Sequence, residues 1–213
     1  MEKIGIIFDV DGTLLDTYNL IEKTYMKVFD EFVPEYKYTK EELKTFFGPP
    51  LEDTFRKVTN DESKVDFLVK KYREYNHALH KEYLKIFPNV QTTLEELKRR
   101  GHRLAVCSNK AKPAIELGFS ITGISDYFDI IIGLEGALKP KPSPDGIYKI
   151  MKVIGENVIM VGDTAFDILT ANNANIPSIA CLYALTKKEA FESVNPTYYI
   201  NSFEEILDIV KDK

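Results

Sequence analysis

Short apolar runs punctuate the chain at Ile4 to Phe8, Arg103 to Cys107, Ile130 to Ile132, Val158 to Val161 and Ser178 to Leu182, with a weaker one at Tyr198 to Ile200. Between most of them apolar residues recur at helical spacing. Leu94 and Leu97 do so within Thr92 to Arg100, and Ile147, Ile150 and Met151 within Pro144 to Val153; Phe166 to Ala174 and Phe203 to Val210 complete the set. Short runs that do not alternate polar with apolar are buried on both faces, and strands separated by helices connect in parallel. The pattern predicts a doubly wound α/β domain, a parallel sheet with helices on both sides.

The alternation breaks once. Between Asp16 and about Lys85 there is no convincing strand, only helical stretches at Leu20 to Phe32, Lys40 to Phe47, Leu51 to Val58 and Ser63 to Leu84. Pro34, Gly48-Pro49-Pro50 and Asn60-Asp61 separate them, as turn residues do. The expected organisation is an α/β domain built from 1–15 and 88–213, with an all-helical domain, 16–87, inserted after the first strand. Phe87-Pro88-Asn89-Val90 marks the return.

Composition narrows the partners. With 28 Lys and Arg against 33 Asp and Glu the net charge is −5, so the chain offers no basic footprint for a nucleic-acid polymer or an anionic membrane. Taken alone, that charge also disfavours small anions. Two cysteines, Cys107 and Cys181, end apolar runs and form no spaced framework; they read as buried free thiols in a reducing compartment. The N-terminal apolar run is interrupted by Asp9 and Asp11 without a small-residue cleavage site, and no run reaches membrane-spanning length, so a cytoplasmic protein is expected.

The chemistry-bearing residues sit where strands are expected to end. Asp9-Val10-Asp11-Gly12-Thr13 follows the first run directly. In an open α/β sheet ligands bind beyond the carboxyl ends of the strands, and alternate residues of an extended chain point the same way. One carboxylate there suits attack on phosphorus or metal binding, and the other suits proton exchange with a leaving oxygen; alone, the pair serves equally to shape a turn or cap a helix. Cys107-Ser108-Asn109-Lys110 offers a hydroxyl and backbone N–H groups at an expected helix start, where an anion or a plain N-cap fits. Leu138-Lys139-Pro140-Lys141-Pro142-Ser143-Pro144-Asp145 sets two lysines in a stiff loop, with Ser143 and Pro144 suited to N-cap and first helical position. Gly162-Asp163-Thr164-Ala165-Phe166-Asp167 places two carboxylates one helical turn apart.

Four such loops in this order resemble the haloacid dehalogenase superfamily of phosphohydrolases, whose motifs are D-x-D-G-T, a Ser or Thr, a Lys, and G-D-x-x-x-D; the likeness spans the whole chain. The resemblance implies a Rossmann-like core with a helical cap, and Gly48-Pro49-Pro50-Leu51 with Phe55 is similar to the cap of phosphoglycolate phosphatase-like members. It implies that Asp9 is the nucleophile and Asp11 the acid and base. Asp9, Asp163 and the Asp11 carbonyl would hold Mg2+, with Asp167 in support. Ser108, the amides of Gly12 and Asn109, and a lysine would bind the phosphate. Lys141 fits the family pattern K-P-x-P-[DE], whereas Lys139 matches only its first half; Lys110 and Lys139 are then peripheral, and Thr13 supports its loop.

The implied activity is Mg2+-dependent hydrolysis of a small phosphomonoester through an aspartyl phosphate, by a monomer or homodimer. A sugar phosphomutase, a pyrophosphatase and a 5'-nucleotidase are the alternatives. Dehalogenases lack the second aspartate of the first motif, and the β-phosphoglucomutase-like branch commonly carries a cap histidine where this chain has Ile21. Leu182-Tyr183-Ala184-Leu185 departs from the aromatic-glycine pair often present in phosphoglycolate phosphatase-like members. In the cap, Arg56, Lys57, His77 and His80 are candidates to read the far end of a substrate, Phe67, Tyr72, Tyr75 and Tyr83 are expected in the core, and Asp16, Thr17 and Pro88 are the expected hinges.

Overall fold

The computed structural model describes residues 3–137 and 139–211; Leu138 of the lysine-proline loop lies outside them. In chain order come β1 (Gly5–Phe8), β2 (Leu15–Asp16), α1 (Tyr18–Phe32), α2 (Lys40–Lys44), α3 (Leu51–Arg56), α4 (Glu62–Tyr83) and β3 (Lys85–Ile86). After them follow α5 (Val90–Arg99), β4 (Arg103–Cys107), α6 (Lys112–Thr122), β5 (Ile130–Ile132), α7 (Asp145–Ile154), β6 (Val158–Gly162), α8 (Ala165–Asn173), β7 (Ser178–Cys181), β8 (Tyr198–Ile200) and α9 (Ile206–Ile209). The chain divides into two compact units, one running to Asp16 and resuming at Ile86, the other Thr17–Lys85.

The first unit is built on a six-stranded sheet in the order β5-β4-β1-β6-β7-β8, and every pairing among these strands is parallel. The doubly wound α/β class follows. Strand alternation sends Ile7 to one face, against Ile147 and Ile150 of α7 and Ala171 of α8. Phe8 goes to the other, 5.7 Å from the Phe203 ring and 6.3 Å from Phe128. All of β1, β6 and β7 is buried, which is why these runs do not alternate in sequence. From β1 the chain crosses to β4 on one side and later returns to β6 on the other, so the topological switch point lies at the end of β1.

The second unit is all-helical apart from its last residue. In α1 the buried residues Leu20, Ile21, Thr24, Tyr25, Val28 and Phe29 make one stripe, and Val65, Leu68, Val69 and Tyr72 make another on α4. Tyr25 centres an aromatic cluster with Phe29, Phe46, Phe55 and Tyr72, the last at 4.6 Å between ring centroids.

Several sequence expectations need correction. β2 and β3 pair as a two-stranded sheet at the ends of the segment read as strandless, too short to leave a periodic signal. Helix α6 was absent from the pattern because Pro113, Gly118 and the β-branched Ile115, Ile121 and Thr122 all weigh against helix. Proline is tolerated in the first turn, and buried Ile115 and Phe119 supply the packing that outweighs propensity. Because α6 begins at Lys112, Ser108 and Asn109 lie ahead of the helix and do not cap it. Pro144, not Ser143, is the residue flanking α7. Phe67, expected in the cap core, is 43% exposed and meets only the edge of that core, its ring perpendicular to Phe32.

Candidate active site

Each sheet strand around the switch point ends on a chemistry-bearing residue. Asp9 follows β1, Ser108 follows β4 and Asp163 follows β6, while Lys141 comes from the loop between β5 and α7. The order β5-β4-β1-β6 makes these ends adjacent. The Asp9 amide donates to the Val161 carbonyl at 2.9 Å, extending the sheet ladder by one residue and fixing where the carboxylate leaves the backbone.

Asp9, Asp163 and Asp167 are buried, and each offers a carboxylate oxygen within 4.8 Å of the others. Lys141 Nζ stands 2.9 Å from Asp9 Oδ1 and 2.5 Å from Asp167 Oδ1. Lys139 is exposed. Asn109 clamps the Lys141 backbone from both sides: its Oδ1 accepts from the Lys141 amide at 2.8 Å and its Nδ2 donates to the Lys141 carbonyl at 3.3 Å. Asp167 Oδ2 accepts from the Thr164 amide and hydroxyl, at 2.9 and 2.7 Å, so the carboxylate that meets Lys141 also caps α8. Thr13 Oγ1 donates to Asp163 Oδ1 at 3.1 Å. Two glycines make the crowding possible: a Cβ at Gly12, whose φ is +78°, would stand 2.1 Å from Asp163 Oδ2, and one at Gly162 would stand 2.2 Å from the Asp167 carboxyl carbon.

Gly12 plays a different part from the one expected. Its amide donates to the Leu15 carbonyl at 2.9 Å, so that N–H closes a turn and is not offered to an anion. The Ser108 amide is likewise used, by the Ile132 carbonyl at 3.0 Å. The Ser108 hydroxyl lies beside Asp9 and favours its ionised form. Asp11 Oδ1 is 2.6 Å from Lys110 Nζ, and the Lys110 side chain is only 10% exposed. Sequence reasoning set Lys110 aside; nothing local marks it, since its partner is 99 positions away. Tyr183 was noted only as a departure from a pattern. Its hydroxyl donates to the Thr13 carbonyl at 2.7 Å, and its ring meets the edge of Phe87.

Of the cap candidates, Arg56 pairs with Asp53 and Glu62 at 3.0 Å, and Lys57 lies over the Phe46 ring. His80 is buried, with Nδ1 2.6 Å from the Asn76 carbonyl.

The electrostatics of the cluster test its fit to a metal. Three buried carboxylates face one ammonium, an excess of negative charge, and oxygen donors suit a hard divalent cation such as Mg2+. Burial first, and then the neighbouring Asp167, pushes the Asp9 carboxyl up to about 6 against the opposing pull of Lys141. Asp163 is raised by burial and then by Asp167 and Asp9. Burial works against the Lys141 ammonium, yet Asp167 and Asp9 outweigh it and hold its value above the ordinary lysine range. The residues fit such a cation.

A stability prediction follows. The folded Asp9 value of about 6 lies above the ordinary 3.8, so the folded state takes up that proton more readily. Stability is fully present below the unfolded value and is lost as pH rises through about 6. The Tm of the metal-free protein should therefore fall between about pH 4 and pH 6.5, and Mg2+ should raise Tm more at the higher pH. Differential scanning fluorimetry with and without EDTA reads both; a Mg2+ shift independent of pH would contradict this account.

The family described as haloacid dehalogenase-like hydrolase matches residues 6–181. A protein named pyrophosphatase PpaX from Oceanobacillus iheyensis is 36% identical over 210 residues, covering 97% of this chain and 96% of its own length. A Bacillus cereus protein of the same name is 31% identical over the same shares. Among solved structures, a haloacid dehalogenase-like family hydrolase from Streptococcus pneumoniae matches at TM-score 0.86 and 25% identity, covering 98% of this chain and 99% of that one.

Proposed function

This chain belongs to the haloacid dehalogenase-like hydrolase family, and from that premise we propose that it hydrolyses inorganic pyrophosphate with Mg2+ through a covalent phosphate on Asp9. The observation that carries the chemistry is the buried cluster of Asp9, Asp163 and Asp167 around Lys141 at the switch point of the sheet. The substrate reading is supported by the relatives named pyrophosphatase, which are similar over 97% of the chain.

Asp9, Asp163 and the Asp11 carbonyl would hold the Mg2+. When bound, the ion supplies the positive charge that lets an anionic carboxylate approach an anionic phosphorus. Asp9 attacks phosphorus, and the bond from phosphorus to the bridging oxygen breaks with its electron pair passing to that oxygen. The oxygen takes a proton from Asp11 and leaves as orthophosphate. Water then attacks the phosphoaspartate, Asp11 takes its proton, and a second orthophosphate departs with Asp9 restored. Lys141 neutralises charge on the phosphoryl group in transfer, and the Ser108 hydroxyl donates to it.

A small phosphomonoester is the second reading, because a leaving alkoxide needs the same proton from Asp11. A mutase is disfavoured: at the position where that branch commonly carries a cap histidine stands Ile21, buried in the helical unit. The test is phosphate release over pyrophosphate, phosphoglycolate, sugar phosphates and nucleoside monophosphates, with Mg2+ and with EDTA. Pyrophosphate is expected to give the highest kcat/KM, and a monoester preferred over it by tenfold would refute the substrate reading. Phosphate release undiminished by EDTA would refute the Mg2+ site.

A further inference from the structure

Lys141 and Lys110 reach the site from different loops and serve different carboxylates. Lys141 is committed to Asp9 and Asp167, with its side chain 4% exposed. Lys110 is committed to Asp11 at 2.6 Å, with its side chain 10% exposed. Their placement divides the site by the two bonds that matter. Asp9 forms the bond to the phosphorus in transfer, so Lys141 lies with the transferring phosphate. Asp11 gives its proton to the departing oxygen, so whatever hangs from that oxygen lies on the side where Lys110 stands.

Those two positions ask for different charges according to substrate. A protonated alkoxide leaves as a neutral alcohol and needs no cation beside it. Orthophosphate leaves as an anion, and it must be held while it is still the outer half of the substrate. The Lys110 ammonium has three N–H donors, and pairing with Asp11 leaves donors for phosphate oxygens.

We propose that Lys110 binds the outer, departing phosphate, giving the site one lysine for each phosphate of pyrophosphate. This rests on the pyrophosphatase reading, and the experiment separates the two. Lys110→Met and Lys110→Arg proteins are compared with wild type in Mg2+. Affinities for imidodiphosphate, a non-hydrolysable analogue, and for orthophosphate are measured by calorimetry, together with kcat/KM for pyrophosphate and for an alkyl monoester whose leaving group also needs Asp11. Lys110→Met should weaken imidodiphosphate binding and lower kcat/KM for pyrophosphate by roughly 30- to 100-fold, in line with loss of a charge-assisted contact. Orthophosphate binding should change by less than about threefold, monoester turnover should fall at least tenfold less than pyrophosphate turnover because only the Asp11 contact is lost there, and Lys110→Arg should recover most of the loss. Equal losses on pyrophosphate and monoester, or unchanged imidodiphosphate binding, would overturn the proposal and leave Lys110 as a positioning residue for Asp11. Wild-type protein that binds imidodiphosphate through Lys110 yet does not turn over pyrophosphate would refute only the substrate reading.

Discussion

Asp9→Asn is expected to abolish turnover while leaving the fold intact or slightly firmer. The amide keeps the shape of the carboxylate but is a poor nucleophile, and removal of a covalent nucleophile lowers kcat by at least about 10³-fold in enzymes of this kind. Stability should move the other way. The cluster holds three buried carboxylates against one lysine, and burial already raises the Asp9 carboxyl to about 6. Neutralising one of the three removes part of that repulsion, so Tm without metal should equal or exceed the wild-type value near neutral pH. Phosphate release and a melting curve on the same preparation check both halves. Retained activity would refute covalent catalysis at Asp9, and a collapsed Tm would show that the carboxylate is structural.

Lys141→Met should have the opposite signature, losing activity and stability together. The lysine is the shared partner of Asp9 and Asp167, at 2.9 and 2.5 Å, and all three side chains are nearly inaccessible. Breaking a buried ion pair from one side leaves uncompensated charge and costs about 3–5 kcal/mol. For a chain of this size that is a fall in Tm on the order of 10 °C. Asp167 also holds the Thr164 amide and hydroxyl, so its altered environment reaches the first turn of α8. Lowering the pH should restore part of the loss, beginning above the wild-type Asp9 value of about 6, because the variant lacks the Lys141 charge that pulls that value down. A Tm within a degree or two of wild type at neutral pH would mean that Lys141 does not carry the charge balance described here.

Much of the architecture was legible because burial on both faces removes alternation from a strand, and β1, β4, β6 and β7 show it plainly. The loops after these strands were legible only together: each alone suits a turn or a helix cap, and it is the order of four such loops that resembles a known family. Lys141 stood out from Lys139 only through the resemblance, by its match to the family pattern K-P-x-P-[DE]. Lys110 did not stand out, since a lysine past a strand end usually points into water and only the folded chain brings Asp11 to it. Tyr183 is the same case at greater range, its hydroxyl meeting a carbonyl 170 positions away. The amide of Gly12 was read as a free donor because turn hydrogen bonds leave no mark on side-chain identity. Helix α6 was hidden by unfavourable propensity that packing overrides.

The strand order has a consequence for the timing of assembly. Thr13 reaches Asp163 across 150 positions of chain, and Lys141 reaches Asp167 across 26. Because β6 pairs directly with β1, the earliest and nearly the latest parts of the sequence meet at the centre of the sheet. A chain still emerging from the ribosome, or a fragment cut before Asp163, contains Asp9 but neither of its carboxylate neighbours. Entropy of loop closure makes such distant pairings late steps in folding. The cluster of Asp9, Asp163, Asp167 and Lys141 would then assemble late in folding, and Asp9 would spend synthesis apart from the charges that surround it in the folded chain.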